Sequence, residues 1–163
     1  MTAAVITVSD SCARGTREDQ SGPAVSEMLR TEGFEVVAEE IVPDDQPTLI
    51  SVLVDLAKKA RLVVTTGGTG LASSDVTPES TLAICERLVP GIPERMRAEG
   101  AKRTPLAALS RAVCGVRGGS LILNLPGSPR AATESLASVV HLLPHAIELL
   151  AGHTEHKPGS IKL

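Results

Sequence analysis

Leu62-Val63-Val64-Thr65-Thr66-Gly67-Gly68-Thr69-Gly70 decides how this chain is to be read. The first five residues are an unbroken apolar and β-branched run, the pattern of a short buried strand, and the glycines that follow mark a tight turn out of it. Working back toward the N-terminus, Pro47 to Lys59 has helical spacing through Leu49, Val52, Leu53 and Leu56, and Phe34 to Val42 reads as another strand. Before it, Pro23 to Glu32 predicts a helix with Ser21 as its cap and Gly33 as its stop, and Ala3 to Val8 predicts the first strand. Strand and helix alternate throughout, the signature of β-α-β units around a parallel sheet.

Toward the C-terminus, Pro78 opens a third helix, and the Pro- and Gly-punctuated stretches PGIPERMRAEG and TPLAALS predict two short helices at the sheet's edge. Ala112 to Val116 and Ser120 to Leu125 flank Arg117-Gly118-Gly119, which predicts a hairpin and hence one antiparallel strand in an otherwise parallel sheet. A long helix starts at Pro129, is interrupted or restarted at Pro144 and ends at Gly152. The reading is one domain over residues 1–152 and a tail over 153–163.

Composition narrows the function. With 163 residues the chain suits one domain with a real core. Sixteen basic and nineteen acidic side chains leave a net charge of -3, without the basic excess of a nucleic-acid binder. Phe34 is the only aromatic residue, so bases have no stacking platform. No apolar run is long enough to span a bilayer, and the N-terminus lacks a secretion signal, which makes the cytoplasm the expected location. Cys12, Cys85 and Cys114 are far apart and form no Cys-x-x-Cys, which points to reduced core thiols rather than a disulfide frame or a thiolate metal cluster.

Ligands of an open α/β sheet collect outside the carboxyl ends of its strands. Four such ends are chemically unusual here: Ser9-Asp10, Pro43-Asp44-Asp45, Gly67-Gly68-Thr69-Gly70 and Asn124-Leu125-Pro126-Gly127-Ser128. The glycine loop brings backbone N–H groups close to anionic oxygens, which suits phosphate, although the same freedom serves any tight turn. A P-loop is excluded because Gly-Lys-Ser/Thr is missing. A dinucleotide fingerprint is excluded because Ser73 takes its third glycine position and Leu88 to Gly91 supplies no ribose-binding acid.

Asp75 precedes the helix at Pro78 and reads either as a cap or as a Mg²⁺ ligand; Thr77 is the closer cap, which leaves the metal role open to Asp75. Asp44 is the second carboxylate, with a turn residue as its plainer reading. Ser128 and Pro129 form a cap-plus-N1 signal that aims a helix N-terminus at the same rim. His141 and His145 stand four apart but astride Pro144, and His153 and His156 fall in the tail, so metal ligation by histidine is disfavoured. No nucleophile–base grouping stands out in these loops, so the chemistry implied is electrostatic rather than covalent.

TVSD at Thr7 to Asp10, DQSGP at Asp19 to Pro23, VPDD at Val42 to Asp45, TTGGTG at Thr65 to Gly70, DVTPE at Asp75 to Glu79, LSR at Leu109 to Arg111 and NLPGSP at Asn124 to Pro129 occur in this order. In these motifs the sequence resembles the molybdopterin adenylyltransferase family. The resemblance implies a three-layer α/β/α molybdopterin-binding fold, usually a homotrimer, and transfer of AMP from ATP to the molybdopterin phosphate with release of pyrophosphate. It implies Asp44 and Asp75 as the two essential acids, here assigned to Mg²⁺. It further implies Gly67, Gly68, Thr69, Gly70, Asn124, Pro126, Gly127 and Ser128 as nucleotide or pterin contacts, with Ser9, Thr69 and Ser110 as hydrogen-bond contributors. Contact with a molybdenum-insertion protein is an implied partnership. A molybdopterin carrier or scaffold without catalysis is the rival reading, disfavoured because Asn124, Asp44 and Asp75 are all present.

Overall fold

The computed structural model describes residues 1–152; the tail expected over 153–163 lies outside the described residues. Six strands form one sheet in the order β2-β1-β3-β6-β5-β4. β1 (Thr2–Val8), β2 (Glu35–Val42), β3 (Leu62–Thr66) and β6 (Ser120–Leu125) are mutually parallel. β5 (Cys114–Arg117) runs antiparallel to β6, and beyond it sits β4 (Arg87–Leu88), a two-residue strand that the sequence did not reveal. β1, β3 and β6 are buried along almost their whole length because helices cover both faces, which explains why their sequences do not alternate. β2, at the edge, alternates between exposed and half-buried residues over its first five positions, then runs exposed until the buried Val42.

α2 (Ser21–Thr31), α5 (Gly91–Ala101), α6 (Pro129–Ala137) and α7 (Leu143–Leu150) cover one face, packing Val25, Leu29, Ile92, Met96, Leu136 and Leu143 against Val5, Val64 and Leu123. α3 (Gln46–Leu56) and α4 (Thr77–Ile84) cover the other, packing Leu49, Leu53 and Ile84 against Ala4, Ile6, Val63 and Ile122. The result is the expected three-layer α/β/α arrangement. A 3₁₀ helix, Pro105–Leu109, follows α5.

Several local expectations are corrected. Ser21 lies inside α2 rather than capping it. Asp19 does that work: its Oδ1 accepts from the Ser21 and Gly22 N–H groups at 3.0 and 3.1 Å, while its Oδ2 accepts from Thr7 Oγ1 at 2.7 Å. Thr77 is likewise the first helical residue of α4, and its hydroxyl donates to the Gly67 carbonyl at 2.9 Å, tying helix to loop. Phe34 stands just outside β2, buried in the core. The long C-terminal helix is two helices; the break falls at Ser138 and Val139, and Pro144 sits in the first turn of α7, where its missing N–H has no partner to lose. The break places His141 in a 3₁₀ turn and His145 in α7, not on one helix face.

Candidate functional site

Register puts the site at one rim. Val8 pairs with Val42, Thr7 with Thr66, and Thr66 with Leu125, so the four parallel strands end side by side and their loops leave together. The ends of β3 and β6 touch: the Gly67 N–H donates to the Leu125 carbonyl at 3.2 Å, Thr66 Oγ1 donates to the Pro126 carbonyl at 2.8 Å, and a Cβ on Gly127 would stand 3.2 Å from Gly67 Cα. Gly67 and Gly68 have φ of +97° and +63°, a region that L side chains rarely adopt. A side chain at Gly67 would also collide with the Val8 carbonyl, so the loop passes directly over the end of β1.

A cavity of about 750 Å³ opens above this rim. Ser9, Asp44, Gly67, Gly68, Asp75, Gly127 and Ser128 all line it. α1 (Asp10–Ala13), a four-residue helix not anticipated from the sequence, borders it, with Ser9 Oγ accepting from the Cys12 N–H at 3.3 Å. Arg17 donates to the same Ser9 oxygen at 3.1 Å. The acids are anchored through backbone donors. Asp44 Oδ2 accepts from the Asp10 N–H at 2.8 Å, and Asp10 Oδ1 accepts from the Asp44 N–H at 3.0 Å, a reciprocal clasp between the β1 and β2 loops. Asp75 Oδ2 accepts from the Ala72 N–H at 2.8 Å. Asp75 therefore closes its own loop and does not cap α4, which begins after Val76 without a side-chain cap.

A second cavity, about 930 Å³, lies on the other side of the glycine loop, between α5, the 3₁₀ helix and α6. Thr69, Gly70, Ser110 and Pro126 line it, and Gly68, Asp75, Gly127 and Ser128 line both cavities. Those four residues form the wall where two ligands would meet. The second cavity carries Arg95, Arg97, Lys102 and Arg103 on its rim with Met96, Leu106 and Leu109 among its apolar lining. Its cations are internally engaged: Arg97 donates to the Ser110 and Ala112 carbonyls at 3.3 and 3.4 Å, Arg95 to the Ser138 carbonyl at 2.8 Å, and Arg103 pairs with Glu134 at 3.0 Å.

Asn124 lines neither cavity. It is fully buried; its amide donates to Thr65 Oγ1 at 3.0 Å and Thr81 Oγ1 at 2.9 Å, and its Oδ1 accepts from the Val113 N–H at 3.1 Å. This network ties β3, β6 and α4 together beneath the glycine loop, so the residue expected among the ligand contacts instead supports them. The cysteines are free. Burial pushes the Cys85 thiol up to about 11 and the Cys114 thiol up to about 12, which keeps both protonated and poorly nucleophilic near neutral pH. Among the described residues no group of three or more His, Cys, Asp or Glu is placed to hold a metal on its own.

Asp10, marked in the sequence at the end of the first strand, does line the first cavity; sequence reasoning missed Arg14 and Arg17 beside it and the cationic rim of the second cavity. The short spacing from Asp10 to Arg14 and Arg17 was the available signal for the former. Nothing local signals the latter, because it exists only where α5 meets α6.

Paired cavities at the carboxyl edge of a parallel sheet, sharing a wall of Gly68, Asp75, Gly127 and Ser128, define an α/β domain with a small-molecule site at its rim. Residues 4–145 match the family described as "Probable molybdopterin binding domain", and the chain belongs to that family. It is 39% identical over 153 residues to the molybdopterin adenylyltransferase of Helicobacter pylori, spanning 91% of this chain and 87% of that protein. It is 40% identical over 154 residues to the Drosophila melanogaster molybdenum cofactor synthesis protein cinnamon, covering 92% of this chain but 26% of that much longer protein. Its fold superposes on the molybdopterin biosynthesis enzyme MoaB of Thermus thermophilus with a TM-score of 0.88 and 50% identity, over 93% of this chain and 96% of that one.

Proposed function

We propose that this protein is a molybdopterin adenylyltransferase, joining AMP from ATP to the molybdopterin phosphate and releasing pyrophosphate. The observation that carries the reading is the pair of cavities meeting at Gly68, Asp75, Gly127 and Ser128. Transfer between two bound molecules needs such a shared wall, whereas a carrier needs one pocket. The acidic cavity beside the glycine loop takes the nucleotide phosphates; the larger cavity, cationic and partly apolar, takes the phosphorylated pterin.

Asp44 and Asp75 suit Mg²⁺ because each has one carboxylate oxygen fixed by a backbone N–H and, among the described residues, the other without a hydrogen bond. Mg²⁺ bound there would neutralise phosphate charge. The chain's own contribution is positioning: the Asp10–Asp44 clasp sets one acid, the Asp75–Ala72 turn sets the other, and Gly67 and Gly68 let backbone approach the reacting phosphates. A pterin phosphate is already anionic near neutral pH, so attack on the α-phosphorus requires no strong base, consistent with the absence of a histidine from the shared wall. A cytoplasmic homotrimer that hands its product to a molybdenum-insertion protein completes the proposal.

Pyrophosphate release from ATP is to be measured with Mg²⁺ and purified molybdopterin, comparing the intact protein with Asp75→Ala. Release that depends on molybdopterin and Mg²⁺ and is lost in the variant is expected. Tight molybdopterin binding without release would replace the enzyme with a carrier.

A further inference from the structure

Segment 70–75 carries Asp75 of the shared wall and has little of its own to hold it. Leu71, Ala72, Ser73 and Ser74 are exposed and contribute no side chain to the core. Its internal bonds are the Ala72 N–H to Asp75 Oδ2 at 2.8 Å and the Asp75 N–H to the Ala72 carbonyl at 3.0 Å. Both would survive if the whole segment swung as a unit. What fixes it against the rest of the fold comes from a distant part of the chain. Arg111 Nε donates to the Gly70 carbonyl at 2.7 Å and its Nη2 to the Asp75 carbonyl at 2.8 Å, so one guanidinium bridges the two ends of the segment. The Arg111 backbone N–H donates to the Thr69 carbonyl at 3.0 Å, and its Nη1 meets the Glu79 carboxylate on α4.

We infer that Arg111 is a positioning residue for the transfer reaction: its guanidinium clamps the Gly70–Asp75 segment and thereby sets the Asp75 carboxylate on the wall between the two cavities. Arg111 itself lines neither cavity, so its effect is transmitted through Gly70 and Asp75. The planar fork is essential to the geometry, since two carbonyls and a carboxylate are met by three different nitrogens of one rigid group. A lysine ammonium keeps the charge but presents its donors from one atom on a flexible stem. Displacing a positioned group by about 1 Å is sufficient to lower turnover about 100-fold.

The inference rests on the adenylyltransferase reading for its kinetic test only. Arg111→Lys is compared with Ile147→Ala, a cavity-forming change in the core under α7, no residue of which lines either cavity, with both assayed well below their unfolding temperatures. Arg111→Lys is expected to lose about 100-fold in kcat, with the dissociation constants for ATP and molybdopterin, each measured alone, within about threefold of the unaltered protein. Millimolar guanidinium is expected to restore part of the activity of Arg111→Ala and none of that of Arg111→Lys. Amide exchange supplies the arm independent of activity: the Thr77 N–H, which donates to the Gly68 carbonyl, and neighbouring amides of the loop exchange faster in Arg111→Lys, while those of β3 do not. Turnover within threefold of normal, or an equal kcat loss in Ile147→Ala, overturns the clamp. If the unaltered protein releases no pyrophosphate, the functional reading fails, and unchanged loop exchange in Arg111→Lys would separately refute the clamp.

Discussion

The two cavities are built by opposite means. The first is made from loops that leave adjacent parallel strands, so its floor is backbone and its acids are held by main-chain N–H groups a few residues or one strand away. The second is made from the sides of α5, a 3₁₀ helix and α6, and its cations are long side chains, of which Arg95, Arg97 and Arg103 find partners outside α5 while Lys102 pairs with Glu99 within it. A rigid backbone floor suits reaction geometry, where small displacements are costly; a wall of long cationic side chains suits recognition of a larger anionic molecule, where reach and charge matter more.

Changes to the first cavity should therefore act on turnover and changes to the second on affinity. The largest effect is expected for Asp75→Ala and Asp44→Ala, which should each lower kcat by about 1000-fold while leaving the folded spectrum intact. Steady-state pyrophosphate release with circular dichroism tests this, and near-normal turnover in either variant would remove the distinction between the cavities. Asn124→Leu should lower stability by about 3 kcal/mol, because the Thr65 and Thr81 hydroxyls and the Val113 N–H lose a buried partner. Urea unfolding measures it; full stability would mean that the network does not support the glycine loop.

Replacing Lys102 and Arg103 together by Ala should raise the molybdopterin KM about tenfold, more at low salt than at high, with the ATP KM unchanged. A rise in the ATP KM instead would reverse the assignment of the cavities. The smallest effect concerns Glu79. Its hydrogen bond to Arg111 holds the carboxyl below the usual value of 4.5, so the pair's contribution is complete above that pH and is lost as pH falls through the depressed value. The pair is partly exposed, and screening keeps the loss below about 1 kcal/mol. The difference in melting temperature between the intact protein and Glu79→Gln should be flat from neutral pH down to about 5 and shrink below it.

Legibility followed the same division. Gly67, Gly68, Asp44, Asp75 and Ser128 were visible because each directly follows, or lies within one short loop of, a strand that could be read from its own residues. Asn124 was equally visible, but it is buried and lines neither cavity. Position after a strand does not reveal which way a side chain points, and β6 turns this one into the core between Thr65 and Thr81. The caps show a smaller version of the same problem, since Asp19 rather than Ser21 accepts the first N–H groups of α2, although the DQSGP motif contained both.

Local chemistry by itself determined the alternation of strand and helix, the parallel sheet, the rim at which the loops gather and the tight glycine turn after β3. Strand and turn signals are short-range, and a parallel sheet forces the loops that follow its strands to one edge. Only the tertiary structure decided that a second cavity exists, that Asn124 is a core residue and that Arg111 clamps a segment 36 to 41 residues away in the chain. Each of these depends on which surfaces meet after long-range packing. A charged or polar residue whose partners lie tens of positions distant has no periodicity or neighbour in the sequence to declare where its hydrogen bonds will go.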